Sequence, residues 1–172
     1  MTNQMVSRLE DKSLFLEREF NAPRGLVFAA FSQAEHLKHW WGPRGWSLPV
    51  CHVDFRKGGV WHYCMKCEDK SQGEFYGMEA WGKAVYSELT PPESIIYTDY
   101  FCDEEGHVAE DLPATLVTLT FTETDSGTKV ICRSDYETAD ELQKVLDMGM
   151  LQGITETWDK LVEHLDSASS NS

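Results

Sequence analysis

Leu116–Leu165 reads LVTLTFTETDSGTKVICRSDYETADELQKVLDMGMLQGITETWDKLVEHL, and this stretch decides the fold. Val117, Leu119 and Phe121 alternate with Thr118 and Thr120, the period of a strand with one apolar face. Asp125-Ser-Gly127 supplies turn residues, so a second strand, Thr128–Tyr136, returns beside the first as a hairpin. Thr138-Ala-Asp-Glu141 then has the spacing of a capping box. The helix it opens is expected to reach about Leu165, with Leu142, Val145, Leu146, Gly149, Gly153, Ile154, Leu161 and Leu165 along one broad face. A hairpin followed by a long amphipathic helix predicts a helix laid against an antiparallel sheet.

Upstream, the same period recurs. Ser13–Phe20 alternates and predicts an opening strand. Pro23 starts a helical stretch whose stripe is Leu26, Val27, Ala30 and Phe31. Ser32-Gln-Ala-Glu35 reads as a further capping box, opening a second short helix that stops at Gly42-Pro43. Strands are expected over Trp46–Phe55, Val60–Glu68, Gly73–Leu89 and Ser94–Phe101, with turns at Gly58-Gly59 and Pro91-Pro92. Short connections between strands favour hairpins over parallel crossovers. The fold class is therefore α+β: a curved antiparallel sheet of about six to seven strands wrapped around a long C-terminal helix, with two short helices after the first strand. Residues 13–165 form one domain, 1–12 a flexible N-terminus and 166–172 a disordered tail.

The chain has 172 residues and a net charge of −14, with no Lys/Arg cluster to offset it. That field repels a phosphate backbone and an anionic membrane, so neither nucleic acid nor membrane is expected as a partner. The polar opening Met1–Lys12 lacks the apolar core of a secretory signal, and five Cys form an odd set. A cytoplasmic protein with reduced thiols is the expectation. Homodimer formation is left open.

Six Trp and an aromatic content of 12% must serve packing or contact. Small residues Gly149 and Gly153 would keep the helix from closing fully on the sheet, leaving room for a small ligand. Trp40, Trp41, Trp61, Tyr63, Met65, Phe75, Trp81, Tyr97, Leu119, Met150 and Ile154 are the candidate wall, each of them also an ordinary core residue when taken alone. Glu79 shares the parity of Phe75 and Trp81 and points inward with them if the strand is regular; a bulge would turn it out. Asp99 is a second candidate acid. No metal site or cofactor is expected. Cys64-Met-Lys-Cys67 on a strand points its thiols to opposite faces, and no H-E-x-x-H, G-x-S-x-G or phosphate loop occurs.

Several motifs resemble a known family. These are Ala22-Pro23, Trp40-Trp41-Gly42-Pro43, Asp54-Phe-Arg56-Lys-Gly58-Gly59, Glu88-Leu-Thr-Pro91-Pro92-Glu93, Val117-Thr-Leu-Thr-Phe121, and Gly153 followed by Trp158-Asp-Lys-Leu161. In order and spacing they are similar to the SRPBCC (START-like, birch-pollen-allergen-like) superfamily, in the branch named after the activator of heat-shock protein 90 ATPase. The resemblance runs from about Leu14 to Leu165. It implies a helix-grip fold and a hydrophobic ligand that is lipid-, polyketide- or flavonoid-like. It also leaves open a cyclase or hydratase using Glu79 (with Asp99) as acid or base, and a chaperone-interacting, stress-response role. Ile154 departs from the Trp common there, and the Asp103–Asp111 loop is longer and more acidic.

Overall fold

Leu14, Leu16, Arg18 and Phe20 take one side of strand β2, Ser13–Phe20, and are buried. Their parity propagates through the pairing. Leu14 faces Ser134, which faces Val117, then Tyr97, then Tyr86, so these residues share the inner side of the sheet. The computed structural model describes residues 4–170, with backbone alone for 169 and 170. It holds one eight-stranded antiparallel sheet in the order β1-β2-β8-β7-β6-β5-β4-β3. The other strands are β1 (Val6–Glu10), β3 (Trp46–Val53), β4 (Val60–Cys67), β5 (Glu79–Thr90), β6 (Ser94–Phe101), β7 (Thr115–Glu123) and β8 (Thr128–Asp135). Helices are α1 (Arg24–Ser32), α2 (Ala34–Trp40), α3 (Ala139–Asp147) and α4 (Met150–Ser170). The helix-grip α+β architecture expected from the resemblance is the one observed, with one strand more.

The extra strand is β1, which replaces the flexible N-terminus expected there. All five of its residues are exposed, so no apolar alternation marks it, and backbone pairing to β2 orders it. At the other end helix continues to Ser170, through the segment expected to be a disordered tail; residues 171 and 172 lie outside the described part.

Two helix boundaries also differ from expectation. Ser32 does not cap α2: α1 runs through it, and its hydroxyl donates to the Phe28 carbonyl at 2.8 Å. The single long C-terminal helix is two. Thr138 caps α3 by accepting from the Glu141 N–H, as its spacing predicts. The helix then breaks at Met148 and Gly149, with Gly149 at φ +87°, a conformation glycine adopts without steric cost.

The inner side is filled at one end and hollow at the other. At the filled end Phe31 lies 5.4 Å from Phe121, 4.9 Å from Trp40 and 6.1 Å from Trp158, ring centre to ring centre. Phe28 packs edge-on to Phe121, and Trp158 of α4 rests on Phe20. Buried Arg18 of β2 reaches Asp159 of α4 at 2.8 Å, pinning the helix to the sheet. Among the described residues no helix is long and apolar enough to cross a membrane.

Candidate functional site

At the far end, α3 and the first turns of α4 cover the sheet with small or narrow side chains. A hollow of about 360 Å³ lies beneath them. Gly153 helps keep it open, since a Cβ built there would meet nothing within 4 Å. Val145, Met148, Met150 and Ile154 form the helical wall, and Met148, 59% exposed, marks the rim. A second wall is Trp41-Gly42-Pro43, the segment leaving α2. Lys160 of α4 holds that segment by donating to the Gly42 carbonyl at 3.0 Å. The Trp41 indole N–H is buried and has no hydrogen-bond partner among the described residues.

The sheet supplies the floor, and on it sits one acid. Asp99 lies on the inner row of β6, opposite Thr115 on β7 and Ala84 on β5. Tyr63 of β4 donates its hydroxyl to Asp99 at 3.2 Å from Oδ1 and 3.4 Å from Oδ2. To do so its ring crosses β5 over Gly82, where a Cβ would fall 2.3 Å from the Tyr63 hydroxyl and ring. Only glycine at position 82 lets this phenol lie flat enough to reach the next strand but one.

Burial pushes the Asp99 carboxyl up from 3.8 to about 7, against the lowering effect of the Tyr63 hydrogen bond. Asp99 is one of the residues that line the hollow. Tyr63 and Tyr97 are driven far above the ordinary phenol range, first by burial and then by the neighbouring Asp99 charge. Tyr136, bonded to Thr115, is raised for the same reasons. All three stay neutral donors near pH 7.

The structure brings together Trp41, Tyr63, Met65, Tyr97, Met150 and Ile154 of the expected wall, with Asp99 as the acid. It separates the rest. Trp40 is core, its indole donating to the Ala30 carbonyl at 3.0 Å. Trp61 and Leu119 are buried beside the hollow without bordering it. Phe75 is 46% exposed, because Lys70–Phe75 is a short 3-10 helix that takes in the start of the strand expected from Gly73. The turn at Gly77 (φ +84°) then severs the parity that linked Phe75 to Glu79. Ala80 and Gly82 take the inner positions opposite Met65 and Tyr63. Glu79 is consequently exposed, and no bulge is needed to put it there. Trp81 meets the hollow only along its strand. By parity its indole lies on the outer face, 5.2 Å from the His62 ring, and its Nε1 donates to Glu79 at 3.3 Å.

Sequence reasoning missed Thr115, Cys132, Ser134 and Tyr136 as floor residues. Counting by twos from Val117 and along β8 would have reached three of them, but only once the inner face was fixed. His36 is half-buried: its Nδ1 lies 2.8 Å from Nε2 of His164, joining α2 to α4.

Several solved structures superpose on most of this chain. Protein Ms6760 from Mycobacterium smegmatis superposes with a TM-score of 0.81 at 29% identity, over 94% of this chain and 95% of that one. An Arthrobacter aurescens protein gives 0.81 at 26% identity, covering 95% and 91%. Protein NE0264 from Nitrosomonas europaea gives 0.78 at 25% identity, covering 95% and 99%. No curated protein matches the chain. The family model for Activator of Hsp90 ATPase homolog 1-like protein matches residues 21–166, which hold every residue lining the hollow except Leu16. The chain belongs to that family.

Proposed function

We propose that the protein binds a small, mostly apolar ligand in the hollow between the sheet and α3/α4. The observation that carries this reading is an aromatic-walled cavity of about 360 Å³ with one carboxyl on its floor. That volume sits at the small end of the range for small-molecule sites, which combine apolar walls with a few placed polar groups. Here those groups are Asp99, Tyr97 and the unpartnered Trp41 N–H. The helix-grip resemblance, in which hydrophobic ligands are common, agrees with it.

Gly153→Phe tests the proposal. Open space at that position admits the ring, which should fill the hollow and abolish ligand-induced change in Trp41 fluorescence. Removing a helical glycine should also hold or slightly raise the melting temperature, by roughly 0.3–0.5 kcal/mol of stability, since Phe is a weaker helix former than Ala. Unchanged binding in the folded variant would place the ligand elsewhere.

A second reading has its own observation. An acid near pH 7 inside an apolar cavity is suited to proton transfer, so Asp99 takes the acid or base role first expected of Glu79. Under this reading Asp99→Asn binds the substrate and fails to turn it over, whereas Glu79→Gln behaves as wild type.

A further inference from the structure

The wall of the hollow contains one acid and no base. Its residues include Asp99 but no Lys, Arg or His. The groups facing Asp99 from the sheet are Tyr63, Tyr97, Tyr136, Cys102 and Cys132, none of them cationic. From the helices come Val145, Met148, Met150, Ile154 and Thr157, none of them titratable, and the Lys160 ammonium behind the Trp41–Pro43 segment is held by the Gly42 and Trp46 carbonyls. A carboxylate in such surroundings has no counter-ion among the described residues and depends on what enters the cavity.

Two further features point to the same kind of visitor. Trp41, Tyr63, Tyr97, Phe101 and Tyr136 line the same hollow as the acid with ring systems, whose faces attract cations and do so most strongly where water is excluded. The net charge of −14 draws cations toward the molecule and repels anions such as fatty-acid carboxylates.

We propose that the ligand is an amphipathic cation: an apolar body of ring or chain carrying one protonated amine, with the amine seated on Asp99 among the aromatic side chains. This names the ligand class for the binding function proposed above and rests on it. The Tyr63 hydroxyl, donating to the same carboxylate, fixes its orientation and leaves lone pairs for the ammonium. Amine binding would favour the charged carboxylate, so near pH 7 a proton leaves Asp99 as the ligand enters.

The test uses matched probes on two bodies: 2-(2-naphthyl)ethylamine, 2-(2-naphthyl)ethanol and 2-naphthylacetate, and octylamine, octanol and octanoate. Calorimetric titration of the full chain at pH 7 in buffers of different ionisation enthalpy should show each amine binding at least tenfold tighter than its alcohol. The carboxylates should bind weakest, and proton release should accompany the amines alone. Asp99→Asn should erase the amine's advantage over its alcohol, and a cooperative urea unfolding transition shows that the variant is folded. Lowering the pH to 5.5 should shrink the advantage in wild type. Alcohols or carboxylates binding as tightly as the amines, or amine affinity unmoved by Asp99→Asn, would overturn the amine assignment and leave the cavity as the binding site. If all six probes fail to bind wild type, the ligand-binding function falls, and the amine with it.

Discussion

Asp99 shows how one side chain sets both a cost and a use. Its carboxyl is raised from 3.8 to about 7 by burial. Below pH 3.8 it is protonated in folded and unfolded chains alike and contributes nothing. Between those values the unfolded chain ionises first, so stability falls as pH rises. Above about 7 the full penalty is present. Asp99→Asn should therefore stabilise the protein by roughly 2–4 kcal/mol at pH 8 and change little at pH 3.5, measured by urea denaturation. An equal shift at both pH values would mean that burial of the charge is not what Asn relieves. Asp99 was visible in the sequence only as an acid on a strand of unknown orientation. Its face is fixed by the pairing with Thr115 and Ala84, and no local pattern around position 99 encodes that. Glu79 was misread for the opposite reason. Its local parity looked informative, yet Gly77 had already broken the strand.

Elements were more legible than their joints. The alternation at Leu14–Phe20 and Val117–Phe121 and the cap at Thr138 are local signals, and each reappears in the structure. The polar strand β1 and the break at Gly149 are not locally encoded: one depends on an available edge, the other on where α4 meets the sheet. The contact of α2 with α4 belongs to the same class. His36 and His164 lie 2.8 Å apart, which requires one ring to donate and the other to accept. Both are held below 6.5, chiefly by burial. His39, stacked on His164, lowers both further, while Glu35 raises His36. Because the folded values lie under the unfolded ones, the unfolded chain takes up protons first. Stability should drop as pH falls from 6.5, and the drop should level off below the folded values. In His36→Gln, which keeps a hydrogen-bonding side chain without the titration, melting temperature should decline less between pH 7 and 5.5. Parallel curves for the two proteins would assign the pH response to other groups.

Across the whole molecule, the sheet's inner side divides into a packed end and a hollow end, and the two should answer differently to truncation. Trp158 is 1% exposed among Phe20 and Phe31, so Trp158→Ala should cost about 3–5 kcal/mol. Ile154, one turn earlier on the same helix, borders empty space and has less packing to lose. Ile154→Ala should cost about 1–2 kcal/mol, below the usual range for a fully packed site. Denaturant midpoints for the two variants check this, and equal losses would mean that the hollow end is as tightly packed as the other. The overall architecture could be read from the sequence because it follows from repeated short-range periods. The hollow could be anticipated only from Gly149 and Gly153, because empty volume is what remains after all packing is done.

The bond between Arg18 and Asp159 anchors α4 partway along its length, close to Trp158 and away from the Met148 rim. The chamber's inner lining can thus be redrawn while the keel that holds the helix to the sheet stays untouched. Relatives with this scaffold are then expected to diverge most at positions such as Val145, Met150 and Ile154, and least around Trp158 and the Arg18–Asp159 pair.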